Sequence, residues 1–348
     1  MSKVTVQSLA DLLGLSKFAV SRALSGKSGV SEETRRLVVE VAEKQGYRPR
    51  NARKTDTLPV RVLVQNHDVA KREVWIDVRN GIEFQAAKNG LELEFVFTES
   101  PDEVKALASS SKGIIMLGPM ARTTYETVQS SDVPAVAVAH DLPPLMSIDQ
   151  IGCTNAESGA AVGEFLIAKG HRKLVYVHGQ PGFPGRVARL RGLELVASKV
   201  DSVEIREIVF PEDYTPSNFA ADVRKMVMDG FLPTCFFCGS DGVAVTVMNE
   251  LHRMGINVPL DCSVVGHANY PLATQVTPNL TTVHMPNREL GMEAVRLLGK
   301  HLEGSEGWLG TGGVQLCLVA NIAERESTSI KGTPDWHKAL SCSTHAVQ

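Results

Sequence analysis

Three short apolar periodicities fill the first 46 residues, and they constrain the fold more than any other feature of the sequence. The stretch VQSLADLL places apolar residues at i, i+3, i+4 and i+7, which is one face of a helix. Gly14 ends that helix, Ser16 begins a second, and Ser31 begins a third whose inward residues include Leu37 and Val38. Three short helices with a tight first turn predict a helix-turn-helix module.

The same segment carries an excess of positive charge. Residues 1–54 contain eleven Lys and Arg against five Asp and Glu, a net of +6, whereas the whole chain has a net charge of −3. The remainder of the chain is therefore acidic. Only the front of the protein is suited to binding a polyanion.

The second predicted helix presents a polar face that could contact bases. In a helix-turn-helix module this helix lies in the major groove. Lys17, Phe18, Ser21 and Arg22 point away from its apolar stripe. Arg22 could donate to guanine O6 and N7, and Phe18 could lie against a thymine methyl. The alternative is the solvated face of a small helical bundle, although an exposed Phe beside Lys and Arg is unusual there.

Hydroxyl residues begin all three helices. Backbone N–H groups and hydroxyls at helix starts favour phosphate oxygens. Thr5, Ser16 and Ser31 are therefore candidate contacts to the DNA backbone.

The run VTVQSLADLLGLSKFAVSRALSGKSGVSEETRRLVVEVAEKQGYRP resembles the DNA-binding head of the lactose/galactose repressor (LacI/GalR) family of bacterial transcription regulators. GLSKFAVSRALSG, VSEETR and GYRP match in order and spacing. The resemblance implies a regulator that binds a nearly palindromic operator as a homodimer. The predicted DNA-binding residues are Thr5, Ser16, Lys17, Phe18, Ser21, Arg22, Ser31, Tyr47, Arg50, Asn51, Arg53 and Lys54.

The hinge segment departs from the family pattern. In the family, Tyr-Arg-Pro-Asn leads into a helix containing Ala-Arg-x-Leu, whose leucine wedges into the minor groove. This chain has YRPRNARKTDTLP, with Thr55 near the position of that leucine. The segment is either a hinge helix shifted by one residue or a flexible basic linker that contacts phosphates alone.

From Val60 onward, short β-rich runs alternate with amphipathic helices. Such alternation predicts parallel sheets covered by helices on both faces, and about ten strands are too many for one compact sheet. Further blocks to about residue 330 resemble the same family, which implies an α/β periplasmic-binding-protein-like body of two doubly wound parallel-sheet subdomains, with three chain crossings and a ligand cleft. The predicted domains are 1–46 (helix-turn-helix), 47–58 (hinge), 59–330 (effector binding and dimerisation; N-subdomain about 59–158 and 285–320, C-subdomain about 159–284 and 321–330) and 331–348 (a disordered tail).

The resemblance also implies an effector site. Trp75, Arg189 and Asp241 stand at positions that contact effectors in the family. Phe183 and Arg186 lie near the arginine, and Phe237 could stack on a ligand ring. Each of the first three residues has an ordinary alternative: helix core for the tryptophan, a surface ion pair for the arginine and a helix N-cap for the aspartate.

One family block differs in a way that bears on the ligand. Where the family often has Gly-Phe-Asp-Asp, residues 266–269 read GHAN, and Ala268 cannot accept a hydroxyl proton. The change argues against a plain hexose, although Asn269 or His267 could compensate. With two arginines nearby, an anionic sugar derivative is a further hypothesis.

Other functional classes receive little support. The six cysteines are scattered, and Cys235 and Cys238 of CFFC are expected to be buried thiols on opposite faces of a strand. We expect no cofactor, no metal, no catalytic residue and no membrane span, and a cytoplasmic location. The alternatives are a two-lobed solute-binding protein and a doubly wound metabolic enzyme, neither with a DNA role.

Overall fold

The computed structural model describes residues 5–25, 30–45, 58–65, 73–98, 100–138, 142–179, 184–210, 216–303, 312–332 and 334–336. The chain divides into two compact units, Met1–Leu58 and Pro59–Gln348.

The first unit contains three helices, α1 (Val6–Leu13), α2 (Lys17–Ser25) and α3 (Glu32–Lys44). Thr5 and Ser8 form a capping box at the start of α1, and Gly14 ends the helix in the left-handed region with φ 61°. The buried core is formed by one apolar stripe from each helix, namely Leu9, Ala10, Val20, Ala23, Val38 and Ala42. The expectation that Leu37 points inward is wrong, because its side chain is 49% exposed.

The second unit begins with a six-stranded parallel sheet in the order β11-β5-β4-β3-β1-β2. Its strands are β1 (Val60–Val64), β2 (Leu93–Phe97), β3 (Gly113–Leu117), β4 (Ala135–Val138), β5 (Asp149–Cys153) and β11 (Gln315–Leu318). The helices that cover its two faces are α4 (Glu73–Asn89) and α11 (Asn287–Leu302) on one side, and α5 (Pro101–Ser109) and α6 (Arg122–Gln129) on the other.

A second six-stranded sheet has the order β12-β10-β9-β8-β6-β7, and only β12 runs antiparallel to its neighbour. Its strands are β6 (Lys173–Gly179), β7 (Glu204–Val209), β8 (Cys235–Cys238), β9 (Ser263–Ala268), β10 (Thr281–His284) and β12 (Asn321–Ala323). One face is covered by α7 (Asn155–Ala168) and α8 (Pro184–Ala197), the other by α9 (Pro216–Met228) and α10 (Asp241–Arg253).

The chain passes between the two sheets three times: after β5, after β10 and after β11. Parallel strands with helical crossovers align their carboxyl ends along one edge of each sheet. The segments that cross therefore connect two layered subdomains, each of which has its own apolar cores.

Glycines allow two pairs of helices to pack with their backbones in contact. A Cβ atom on Gly159 of α7 would lie 1.9 Å from the carbonyl oxygen of Arg189 in α8, and a Cβ on Gly81 of α4 would lie 1.9 Å from that of Arg288 in α11. No side chain fits at either distance. Each subdomain therefore has one tightly crossed helix pair.

The two cysteines of β8 lie as the strand pattern predicts. Cys238 packs with the core under α9 and α10, whereas Cys235 packs on the opposite face under α7 and α8. Burial raises the pKa of both thiols well above its usual value. These are apolar core residues and poor nucleophiles.

Within the described ranges no helix is long and apolar enough to span a bilayer. The same ranges contain no cluster of His, Cys, Asp and Glu with the spacing of a metal site.

The C-terminal segment corrects one expectation. Residues 331–348 were expected to form a disordered tail, yet Lys331 N–H donates to the carbonyl of Lys169 at 2.9 Å. Trp336 is 1% exposed, belongs to the core under α9 and α10, and donates its Nε1–H to the carbonyl of Pro233 at 3.0 Å. Residues 331–332 and 334–336 are therefore part of the C-subdomain, whereas residues 333 and 337–348 of the predicted tail lie outside the described residues.

His171 lies just before β6, at the end of the second sheet opposite to the carboxyl ends of its parallel strands. Its side chain connects four segments of the chain. Its Nδ1 lies 3.1 Å from Thr234 Oγ1, and its Nε2 lies 3.0 Å from Ser263 Oγ and 3.3 Å from the Ser329 carbonyl. The side chain is fully buried, and burial lowers its pKa to about 4. Its role is structural, as a neutral imidazole in a closed hydrogen-bond network.

We expect Trp336→Ala to lower the free energy of unfolding by about 3–5 kcal/mol, because it opens a cavity in the core and leaves the Pro233 carbonyl with only the weak donor of the Cys262 thiol. Trp336→Phe should cost less, since most of the ring packing remains. Chemical denaturation followed by circular dichroism measures both. Equal midpoints for chains ending at residue 330 and at residue 336 would contradict this role.

The buried imidazole also predicts a pH dependence. Below pH 6.5 an unfolded histidine binds a proton, whereas folded His171, with its pKa near 4, does not. Stability should therefore fall as the pH decreases from about 6.5 to 4. His171→Gln should lower stability by about 1–3 kcal/mol at pH 7 and flatten that dependence, whereas exposed His252→Gln should change neither. Parallel slopes for wild type and His171→Gln would exclude His171 as the cause.

Candidate functional site

The exposed face of α2 carries the residues predicted to contact bases. Lys17 and Ser21 are exposed, and Phe18 is 68% exposed although it is a large apolar side chain. The guanidinium carbon of Arg22 lies 5.0 Å from the centroid of the Phe18 ring. This stacked pair projects an oriented cation and an aromatic edge from one helical turn.

The hydroxyls that are predicted to contact phosphates belong to the residues immediately before the three helices. Thr5 Oγ1, Ser16 Oγ and Ser31 Oγ accept from backbone N–H groups three residues later, at 3.1, 3.1 and 3.2 Å respectively. All three side chains are exposed. The first-turn amides beside them therefore face solvent, where the helix dipole favours an anion.

The remaining predicted DNA contacts, Tyr47, Arg50, Asn51, Arg53 and Lys54, lie outside the described residues. The two interpretations of the hinge therefore both stay predictions. Phe183 of the predicted effector site lies outside them as well.

In the second unit, Arg189 lies at the carboxyl end of the second sheet and is 6% exposed. Its guanidinium donates to Asn155 Oδ1 at 2.5 Å and to the Gly239 carbonyl at 3.0 Å, while Nε is buried without a hydrogen bond. Burial lowers the pKa of Arg189. The alternative of a surface ion pair does not hold for this buried side chain.

Arg186 lies one helical turn before Arg189 and is partly exposed. A Cβ on Gly179 would lie 2.8 Å from its Nη1, and a Cβ on Gly239 would lie 3.0 Å from its Cδ. The side chain therefore occupies a slot between the ends of β6 and β8 that only glycines leave open. Tyr176 Oη donates to the Arg186 carbonyl at 2.8 Å and holds the start of α8 against β6.

Asp241 is fully buried and bonds to the protein itself. Oδ1 accepts from Thr282 Oγ1 at 2.5 Å, and Oδ2 accepts from the Tyr270 N–H at 2.7 Å. The helix N-cap is Ser240, whose hydroxyl accepts from Val243 N–H, so the cap alternative for Asp241 is wrong. Burial raises the pKa of the Asp241 carboxyl. The residue fastens the loop after β9 to β10 and α10.

The GHAN block forms the end of β9 and the loop after it. Asn269 Oδ1 accepts from Arg325 at 2.6 Å, and its Nδ2 lies 3.0 Å from His284 Nδ1, so its amide holds neighbouring strands together. His267 is buried, and its Nε2 has no hydrogen-bond partner among the residues that the structure describes. Burial lowers the pKa of His267 well below its usual value, and the positive charges of Arg189 and Arg186 lower it further.

The two aromatic candidates lie in apolar cores. Phe237 is fully buried in the centre of β8, with its ring centroid 5.2 Å from that of Tyr176. Its predicted stacking on a ligand is wrong for this arrangement, because both faces of the ring are covered by protein. Trp75 is 6% exposed and packs between α4 and the first sheet, which favours its alternative role as helix core.

Sequence reasoning missed the groups that hold the predicted residues. Asn155, Thr282 and Arg325 bond to Arg189, Asp241 and Asn269 respectively. Their partners are 34 to 56 residues away along the chain, a separation that no local pattern reveals.

Two protein families match the chain. Residues 5–50 match bacterial regulatory proteins, lacI family, and residues 164–328 match the periplasmic binding protein-like domain. These matches fall on the three-helix unit and on the part of the body that includes the second sheet.

Similar proteins extend over most of the sequence. Catabolite control protein A of Priestia megaterium is 26% identical over 312 residues, which cover 86% of this chain and 92% of that protein. The HTH-type transcriptional repressor PurR of Vibrio vulnificus is 25% identical over 320 residues, covering 87% and 93% respectively.

A solved structure of the lac repressor dimer bound to operator and the anti-inducer ONPF has a TM-score of 0.68 and 22% identity, and covers 94% of this chain and 100% of that chain. At this identity the likeness concerns the fold. The predicted fold class, a helix-turn-helix module followed by two parallel-sheet subdomains, is confirmed.

The contacts of Asp241 predict an effect on stability. Asp241→Ala leaves the Tyr270 N–H and the Thr282 hydroxyl without their acceptor, so the free energy of unfolding should fall by about 1–3 kcal/mol in the absence of any ligand. Asp229→Ala, which removes an exposed partner of Arg206, is the matched control and should cost less than about 1 kcal/mol. Unchanged stability in Asp241→Ala would mean that the residue has no structural role.

Proposed function

We propose that the protein is a sequence-specific, DNA-binding transcriptional repressor of the lacI family, controlled by a small metabolite. It acts in the cytoplasm, where bacterial DNA is accessible, and its role is regulation rather than catalysis. The observation that carries the proposal is the exposed polar face of α2 on the basic N-terminal unit, where residues 1–54 carry a net charge of +6.

The arrangement of α2 supports direct contact with bases. Its buried residues, Val20 and Ala23, face the core of the unit, and Lys17 and Phe18 are exposed on the other side. Arg22 is partly buried, and its guanidinium lies against the Phe18 ring. A guanidinium can donate two hydrogen bonds to guanine O6 and N7, and an aromatic ring can contact a thymine methyl. Stacking on Phe18 restricts the rotamers of Arg22 before DNA binds, which lowers the entropy lost on binding.

We assign a homodimer as the binding species. A single three-helix module contacts only a few base pairs, and two modules related by a two-fold axis contact the two halves of a pseudo-palindromic operator. The solved lac repressor that shares this fold is a dimer bound to operator.

The metabolite binds at the carboxyl ends of the strands in the second unit. Ligands in open parallel sheets bind at this edge, and it is where Arg186, Arg189 and His267 lie. Closure of the two subdomains around the ligand would alter the hinge segments and the relative placement of the two DNA-binding modules. The coupling between the two sites is reciprocal and is typically about 1–3 kcal/mol.

The first experiment selects operator sequences from random duplexes with the purified full-length protein and maps chromosomal binding. The expected result is a pseudo-palindromic consensus sequence. The affinity of the protein for that sequence should change when a metabolite of a pathway encoded by genes beside the binding site is added. No preference for any duplex at moderate ionic strength would exclude the proposed function.

Substitutions on α2 test the base contacts. Arg22→Ala or Phe18→Ala should reduce the discrimination between operator and random DNA by about 1–3 kcal/mol, because each change removes or disorders a base contact. Lys44→Ala, which removes a charge of α3 already paired with Glu40, is the matched control and should leave discrimination unchanged.

A hinge substitution should act differently. Lys54→Ala should weaken binding to all sequences alike and lower the slope of log affinity against log salt by about 1. Fluorescence anisotropy at several salt concentrations measures both quantities. If Lys54→Ala changed discrimination and Arg22→Ala changed only the salt slope, the two assigned roles would be reversed.

A further inference from the structure

We propose that the effector carries an anionic oxygen group, either carboxylate or phosphate, which Arg186 and Arg189 bind together at the carboxyl end of the second sheet. This inference rests on the proposed function, because it takes this edge of the sheet to be the effector site. It specifies the chemical class of the ligand and assigns Arg186 as a residue that determines specificity.

The first argument is the charge of buried Arg189, for which the described part of the chain supplies no carboxylate partner. The side chain is 6% exposed, and the acceptors of its guanidinium are neutral, an amide oxygen of Asn155 and the carbonyl of Gly239. Among the described residues no carboxylate forms an ion pair with it. A buried cation without a counter-charge is unfavourable, and an anion at its side removes that penalty.

The nearest buried carboxylate does not supply the counter-charge. Both oxygens of Asp241 accept hydrogen bonds from within the protein, from Thr282 and from the Tyr270 backbone. The cation whose charge favours its ionised form is Arg325, on the far side of the loop. Asp241 is therefore committed to the loop after β9 and does not itself neutralise Arg189.

Arg186 adds a second cation to the same edge. Glycines at positions 179 and 239 create its slot, since a Cβ at either position would come within about 3 Å of its side chain. Two guanidinium groups on successive turns of one helix can bind one oxyanion with parallel charge-assisted hydrogen bonds.

His267 shows that the two arginines act on a common space. Their charges, after burial, lower the pKa of this imidazole, which lies near the end of β9. Its Nε2 is buried without a partner, as is the Nε of Arg189. A ligand oxygen would accept from Arg189 Nε–H, which has no acceptor among the described residues, and from His267 Nε2 in the tautomer that carries the proton there.

The next residue removes an obstacle to an anion. Ala268, the last residue of β9, carries no charge. A carboxylate there would repel an anionic ligand and accept sugar hydroxyls. With alanine at this position, the edge of the sheet neither repels an anion there nor accepts from a sugar hydroxyl, and residue 268 does not offset the positive charges of Arg186 and Arg189.

The test measures binding of matched ligand pairs to the purified full-length dimer by isothermal titration calorimetry. The anionic panel contains gluconate, glucuronate, glucose 6-phosphate and ribose 5-phosphate, and the neutral panel contains glucose and ribose. Binding of at least one anion, with its neutral counterpart much weaker, is the expected result. The carboxylate and phosphate arms distinguish the two oxyanions. Binding of neutral sugars alone, or of no compound in either panel, overturns the inference.

Variants localise the interaction. Arg186→Gln should raise the Kd of the anion roughly tenfold to a hundredfold, and Arg186→Lys should restore part of the loss. Arg206→Gln, a change of equal charge on β7 whose native partner is Asp229, should leave the Kd unchanged. Equal affinity of wild type and Arg186→Gln for the anion would also overturn the assignment.

Operator binding, measured in the same preparations without ligand, separates the two levels of the argument. Preserved sequence preference together with absent anion binding refutes the effector class and leaves the repressor function standing. Absence of sequence preference refutes the proposed function itself.

Discussion

The backbone contact between paired helices is the constraint on which both subdomains depend. In each subdomain one helix enters directly after a chain crossing, α7 after β5 and α11 after β10, and packs on its partner through a glycine. A Cβ would overlap the opposing carbonyl oxygen, so the helices cannot separate by a side-chain width without losing the fit. Two of the three crossing segments therefore lead directly into a helix that is packed backbone to backbone on its partner.

The same contact positions the candidate site. The carbonyl that Gly159 meets belongs to Arg189, and the side chain of that arginine reaches Asn155 on the facing helix. The depth and direction of the guanidinium are therefore determined by the helix crossing rather than by solvent. This explains how a cation can be held at 6% exposure beside neutral acceptors: the packing energy of α7 on α8 offsets the cost of burying it.

Local signals in the sequence predicted the three-helix unit and the alternating body, because caps, glycine ends and periodicity are short-range properties. They failed where burial is complete or where partners are distant. All four residues of β8 are buried, so the strand has no alternation of apolar and polar residues. Without that alternation, the sequence could not show which face of the strand the Phe237 ring occupies or that both faces of the ring are covered. Trp336 is surrounded by residues without periodicity, and its partner Pro233 is 103 positions away. Similarly, the two groups that donate hydrogen bonds to the Asp241 carboxylate lie in a loop 29 positions later and in a strand 41 positions later.

The buried guanidinium of Arg189 also bears on how a ligand could control DNA binding. A ligand changes a conformational equilibrium only by the difference in its affinity for the two states. When the subdomains are apart, water can approach the carboxyl end of the second sheet and screen the charges of Arg186 and Arg189. When they are together, that water is excluded and the same charges are more strongly destabilising. An anion between them reverses the balance, because it interacts most strongly in the state with the least water. The charge that opposes closure of the empty protein would thus become the source of the differential affinity that a regulator requires.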